Sequence, residues 1–339
     1  MKRGAKLSAA FRAPVWVPVC ALAALCWGGG WALAAPAVSP PASLPISPNE
    51  QLHRMAVAAN TLSFEGTLVY LYRNRLETLY LQHAIEDGRV RERLVSLTGP
   101  VRTVTREDDE VTCTLPNSHP ISVKRHGVAR DLLHSQPLDA ERLAGHYRVA
   151  PLGAARVAGR ATDVLGIIPH DQFRYGYRFY LDRETGLPLK TDLMGTDAEP
   201  LEQVMFTSIS LVGSPTDAPP VSPALAAAPP SSTAPAAQAV SRWRFGQLPA
   251  GFEQIMHQGA TGAGPPVEHF LLSDGLAAVS VYVEPDGGAG LEGETRIGAI
   301  HAIGGRLAGH RVTVVGQVPA ATVATVFAGV RFDGTGATP

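Results

Sequence analysis

Cysteine is scarce in this chain. Of three cysteines in 339 residues, Cys20 and Cys26 fall in an N-terminal segment that reads as a removable leader, which leaves Cys113. A single cysteine forms no internal disulfide, so nothing covalent staples the fold. Cys113 stands in the strand-like run Val111–Thr112–Cys113–Thr114–Leu115 and reads as a buried, inert thiol. Catalytic and metal signatures are missing as well. There is no HExxH or HxH spacing, no Cys/His ligand set, no GxSxG elbow and no glycine-rich phosphate loop after a strand. The histidines are scattered, and His269 and His301 read as surface or core residues. Glu107, Asp108, Asp109 and Glu110 stand too close together for an acid/base pair; mutual repulsion makes them a hydrated hairpin tip. No cofactor or metal is expected, and the chain does not read as an enzyme.

An excess of one charge is lacking too. The precursor carries 29 basic and 30 acidic residues. Without Lys2, Arg3, Lys6 and Arg12 the basic count falls to 25 against 30 acidic residues, a net of about −5. That excludes a globally basic nucleic-acid binder, though not local basic patches.

Those four cations open the chain. An apolar run over residues 13–31 follows, then Ala32–Leu33–Ala34–Ala35. This is the order of a secretory signal peptide, with cleavage expected after Ala34 because Pro36 makes a poor first residue one step on. Pro14, Pro18 and Gly28–Gly29–Gly30 break the run as a spanning helix, the alternative reading. No second long apolar stretch follows, so export as a soluble protein is expected. The layout is a signal over 1–34, a Pro/Ala-rich leader over 35–46, a large domain over 47–213, a Pro/Ala/Ser-rich tether over 214–240 and a small domain over 241–339. The tether holds Asp217 as its only charge. If extended it spans on the order of 80 Å, at about 3.1 Å per residue.

Within the large domain, Ser47, Pro48 and Glu50 form a helix start, with Leu52, Met55, Ala56, Ala59 and Leu62 at helical spacing behind them. Strand patterns cover 64–72, 76–85, 89–97, 101–106, 111–115, 155–168, 173–182, 187–193 and 201–212. Asp87–Gly88 marks a tight turn, and a short helix is expected over 138–145, opening at Asp139. In the small domain strands are expected over 269–273, 276–284, 296–303 and 310–317. Asp274–Gly275 is a hairpin turn, and a helix after Pro319 carries Val323, Val326, Phe327 and Val330. Many antiparallel strands and few helices imply an α+β fold on one large curved antiparallel sheet, plus a smaller α+β C-terminal domain.

Two residue sets stand out. Leu68, Tyr70 and Tyr72 share one strand face, as do Tyr175, Tyr177 and Phe179. With few helices to cover the concave side, they line either an apolar groove for acyl chains or a packed core. Arg89, Arg91 and Arg93 alternate along another strand, Arg102 and Arg106 lie on the next, and Arg174 and Arg178 on a third. Guanidinium forks bind carboxylates and phosphates at two points. These arginines form either a solvated surface or a docking face for an acidic peptide or lipid headgroups.

The chain resembles the RseB/MucB regulators of the envelope-stress sigma factor. The resemblance is carried by Phe64–Glu65–Gly66–Thr67–Leu68–Val69–Tyr70, Glu92–Arg93–Leu94 with Thr98–Gly99, and Arg156–Val157–Ala158–Gly159–Arg160. It continues through Arg174–Tyr175–Gly176–Tyr177–Arg178, Leu201–Glu202–Gln203, Met205–Phe206–Thr207, Ser273–Asp274–Gly275–Leu276 and Val312–Thr313–Val314–Val315–Gly316. Phe179–Tyr180 and Gln317 depart from the family's usual residues. The resemblance implies a LolA/LolB-like half-barrel for the large domain and a periplasmic location. It implies a partner, the periplasmic region of an RseA/MucA-like anti-sigma factor, shielded from regulated proteolysis and released by lipid or lipopolysaccharide-type signals. It supplies no catalytic residues, and oligomeric state stays open. A periplasmic lipid or lipoprotein carrier is the alternative, distinguished by its having no need of the segment after Trp243.

Overall fold

A computed structural model describes residues 46–72, 74–99, 102–107, 110–114, 121–124, 137–196, 199–212, 241–259, 267–287 and 290–334. The expected signal peptide, leader and tether lie outside these residues. The first element is helix α1 (Pro48–Thr61). Ser47 caps it by accepting from the Glu50 amide at 3.1 Å, Pro48 takes the first turn, and Leu52, Met55, Ala56, Ala58 and Ala59 form the buried stripe. Strands β1 (Ser63–Tyr72), β2 (Arg75–Glu86), β3 (Arg89–Ser96), β4 (Thr103–Glu107), β5 (Glu110–Thr114) and β6 (Ile121–Lys124) then run as a meander. A one-turn helix, α2 (Ala140–Leu143), is capped by the Asp139 carboxylate, as expected. Strands β7 (Tyr147–Val157), β8 (Arg160–Pro169), β9 (Gly176–Asp182), β10 (Pro188–Met194) and β11 (Pro200–Val212) follow.

All eleven strands form one antiparallel sheet in the order β6-β5-β4-β3-β2-β1-β11-β10-β9-β8-β7. The long β1–β11 pairing joins the two meanders, and the sheet stays open, with β6 and β7 at its edges. Helix α1 lies against one part of it. Leu52 and Met55 pack on Leu165, Ile167, Tyr177, Phe179, Leu181 and Leu193. A second cluster around Phe64, Leu68, Leu79, Leu81 and Phe206 fills the adjoining part.

The C-terminal half holds a short pair, β12 (Trp243–Phe245) with β19 (Val330–Phe332), and a six-stranded antiparallel sheet. That sheet contains β13 (Glu253–Gln258), β14 (Glu268–Ser273), β15 (Ala278–Pro285), β16 (Gly293–Ile297), β17 (Ile300–Leu307) and β18 (His310–Gly316), in the order β13-β14-β15-β18-β17-β16. Helix α3 (Ala320–Gly329) covers one face, with Val323 and Val326 set among Val279, Val281, Val312 and Val314. No helix among the described residues is long and apolar enough to cross a membrane.

Four expectations change. The run 155–168 is not one strand but the β7–β8 hairpin, turned by Ala158 and Gly159 at φ 48° and 78°. The run 296–303 is likewise split between β16 and β17 by a two-residue turn at Gly298–Ala299. The strand expected from residue 173 begins only at Gly176, because residues 170–174 leave the sheet. Val330, expected on the closing helix, instead caps it with extended backbone (φ −65°, ψ 132°) and opens β19. Strands β6, β12, β13 and β19 were not foreseen.

Candidate functional site

The described residues from Ile46 onward form one compact unit, so the two sheets meet. The centre of the meeting is Arg174, whose side chain is wholly buried. It reaches there because the chain turns before β9: Asp171 Oδ1 accepts from the Phe173 amide at 2.9 Å and from Arg174 Nε at 3.0 Å. Arg174 Nη1 then donates to Asp274 Oδ2 at 2.7 Å, and Nη2 to the Ala250 carbonyl at 2.6 Å. Both acceptors belong to the C-terminal half. The guanidinium also lies 5.4 Å from the ring centres of Tyr147 and Phe252, one from each half.

Asp274 is just as fully used. It sits in the β14–β15 turn, where Oδ1 accepts from the Leu276 and Ala277 amides at 2.9 and 2.7 Å. Its Oδ2 accepts from Arg174 and, at 2.8 Å, from the Tyr147 hydroxyl. Burial, and after it the Asp274 charge, pushes the Tyr147 hydroxyl far above its ordinary range, so Tyr147 stays a donor. Charges this deep persist only when paired and hydrogen-bonded. Removing one partner of such a pair costs about 3–5 kcal/mol.

Around this centre the other signature segments meet. Gln317, directly after β18, donates to Glu202 of β11 at 2.9 Å. Thr322 of α3 donates to the Phe173 carbonyl. Tyr175 Oη lies 3.4 Å from His301 Nδ1, which is closer, 2.8 Å, to the Val318 carbonyl. Two glycines permit close approach. A Cβ on Gly251 would fall 2.0 Å from His146 Nε2, and one on Gly298 would fall 2.5 Å from the Tyr72 ring; both residues have positive φ. A cavity of about 230 Å³ remains beside Tyr72, Leu201, Gln203 and Arg296.

The expected groove residues divide. Leu68 and Phe179 are wholly buried, and Tyr177 nearly so; the Tyr177 and Phe179 rings stack 5.6 Å apart under α1. Tyr70 and Tyr72 are half-buried and stack at 6.3 Å. Tyr175 precedes β9 and belongs to the junction. A larger cavity of about 510 Å³ opens at the β8–β10 end, walled by Leu152, Ile168, Met194, Asp171, Arg174 and Arg178. The arginines divide too. Arg89, Arg91 and Arg93 are exposed on β3, Arg91 pairing with Glu86 at 2.8 Å. Arg102 pairs with Glu77, and Arg106 reaches Glu92 at 3.2 Å. Arg174, expected on the same face as Arg178, instead serves the junction. Tyr147 and Asp274 were not singled out for a site. The available signal was that Asp274 lies in one of the quoted motifs and Arg174 in another. Among the described residues no three His, Cys, Asp or Glu side chains gather as a metal site would need.

A family model for the MucB/RseB N-terminal domain matches residues 47–228, and one for the MucB/RseB C-terminal domain matches residues 237–331. The sigma factor AlgU regulatory protein MucB of Pseudomonas aeruginosa is 34% identical over 309 residues, 86% of this chain and 93% of that protein. The sigma-E factor regulatory protein RseB of Escherichia coli (strain K12) is 26% identical over 285 residues, 83% and 89% of the two chains. Among solved structures, the MucB chain of the Pseudomonas aeruginosa MucA/MucB complex superposes with a TM-score of 0.62 at 32% identity. That match covers 85% of this chain and 99% of that one. MucB in complex with MucA(peri) gives a TM-score of 0.62 at 30% identity, covering 85% and 100%.

Proposed function

Since the chain belongs to the MucB/RseB family, we propose that it is a periplasmic negative regulator that binds the periplasmic region of a membrane anti-sigma factor of RseA/MucA type. Bound there, it holds the anti-sigma factor in a protease-resistant state, and a lipid or lipopolysaccharide-type signal releases it. The observation that carries the reading is the match, over most of both chains, to a relative solved in complex with MucA. The meeting of the two halves at Arg174 supports it, since one extended partner can then touch both. Release works by linkage: a lipid that prefers the unbound state shifts occupancy by its differential affinity and no further.

A second reading, a lipid or lipoprotein carrier, is favoured by the cavity of about 510 Å³ with Leu152, Ile168 and Met194 in its wall and Arg178 beside them. Leu68, Tyr177 and Phe179 serve the core in either case, which leaves this cavity and the half-buried Tyr70–Tyr72 pair as lipid-facing surfaces.

The test mixes the purified chain from residue 35 onward with the periplasmic segment of the anti-sigma factor from the same organism. Binding at tens of micromolar or tighter is expected, with protection of the segment from its protease, and lipopolysaccharide fragments should weaken both. Absence of binding would defeat the regulator reading. Binding that lipid leaves unchanged would remove lipid release alone.

A further inference from the structure

Two motifs far apart in sequence, Arg174–Tyr175–Gly176–Tyr177–Arg178 and Ser273–Asp274–Gly275–Leu276, meet at one buried ion pair between the two halves. We propose that the Arg174–Asp274–Tyr147 cluster is a two-state latch. Closed, it fixes the C-terminal half against the large sheet; once one member is lost, the C-terminal half separates as a body.

Three observations carry this. The first is saturation. Arg174 uses Nε, Nη1 and Nη2 on three acceptors, and both oxygens of Asp274 are doubly engaged. With every polar atom committed, a partial break strands a charge away from water, and only opening the junction rehydrates it. The second is the exposure of the other polar bridges. Among the described residues, Gln317–Glu202, Thr322–Phe173 and Tyr175–His301 are only part-buried, unlike the central pair. The third is access. Asp171 is 29% exposed, and it and Arg174 both wall the cavity of about 510 Å³. Solvent therefore reaches Asp171, the outer partner of the buried pair, on that side, while Arg174 and Asp274 stay wholly buried.

The latch concerns the orientation of the halves and stands whether or not the anti-sigma reading does. Its use is linkage: whatever favours the open state weakens any ligand that needs the closed one.

Small-angle scattering on the chain from residue 35 onward tests it without a partner. Arg174→Met takes the ion-pair partner from Asp274, so the radius of gyration should rise by several ångströms while the secondary-structure signal is kept. Adding Asp274→Asn to Arg174→Met removes the stranded charge and keeps the turn acceptor, so the double variant should return to the compact profile. An Arg174→Met profile equal to wild type, or a double variant as expanded as the single one, overturns the latch. Should Arg174→Met not fold, Tyr147→Phe decides. It deletes one bond at Asp274, and the Leu276 and Ala277 amides should exchange with solvent about tenfold faster. Unchanged exchange there overturns the proposal as well.

Discussion

Arg174 and Arg91 look alike in the sequence, each in a run where basic and apolar residues alternate, yet they end in opposite electrical settings. The Arg174 side chain is 0% exposed and paired with an Asp274 side chain that is also 0% exposed; Arg91 and its partner Glu86 are 56% and 57% exposed. Both pairs are short, 2.7 and 2.8 Å, so distance does not separate them. Water does. In the junction the partners left to each charge after a break are fixed protein groups: Asp171 and the Ala250 carbonyl for Arg174, and the Tyr147 hydroxyl and two turn amides for Asp274. The pair is structural because breaking it is costly. On β3 each charge is solvated whether paired or not, and the pair is worth little.

The largest effect that sharpens this contrast is expected from Asp274→Ala. It takes the buried carboxylate from Arg174, leaving Asp171 and the Ala250 carbonyl, and unpairs the Tyr147 hydroxyl and the Leu276 and Ala277 amides together. A loss of about 3–5 kcal/mol in urea unfolding is expected, with the single transition splitting in two. A loss below about 1 kcal/mol, within reach of a surface pair, would erase the distinction between the two settings.

Between the extremes stands Asp182, whose side chain is 2% exposed while that of its partner Arg160 is 28% exposed. Burial pushes the Asp182 carboxyl up. The two-point bond from Arg160 and the bonds from Thr185 outweigh it and hold the carboxyl below its ordinary value. A depressed carboxyl contributes stability that is full above the unfolded-chain value of about 3.9 and disappears as pH falls through the lower folded value. Urea midpoints should therefore fall between pH 5 and pH 3 for wild type, and fall less steeply for Asp182→Asn. Glu92 adds to the same slope. Burial raises its carboxyl, but the His83 hydrogen bond and the Arg106 charge bring it below the ordinary value. Parallel slopes for wild type and Asp182→Asn would show that the Arg160 bond contributes nothing to folding.

The parts of this structure legible in the sequence are those whose causes are local. The cap at Ser47, the stripe of α1 and the Asp139 cap follow from neighbours within a few residues. Asp87–Gly88 was read as a turn and is one, with φ 52° and 73°. Ala158–Gly159 adopts nearly the same backbone, φ 48° and 78°, but an alanine at positive φ gives no such signal, and two strands were read as one. The junction was illegible for a stronger reason. Asp274 belongs to an Asp–Gly turn, and the turn explains only its Oδ1. The use of Oδ2 depends on Arg174, a hundred residues earlier, leaving the strand that its alternation assigned it to. Burial at a contact between halves is set by how two finished sheets meet, and no short window of sequence encodes that.

The smallest effect is expected from Arg91→Ala. Its carboxylate partner is more than half exposed, and the side chain pays conformational entropy to hold the pair. Stability should change by no more than about 0.5 kcal/mol. One molar salt should weaken even that, since exposed ion pairs are screened by salt. The same salt should leave the scattering profile of the wild-type chain untouched, because ions do not enter a junction whose central side chains are wholly buried. Arg91→Ala costing as much as Asp274→Ala would mean that β3 packs against something in solution. In that case its alternating arginines would be an occupied face rather than a solvated one.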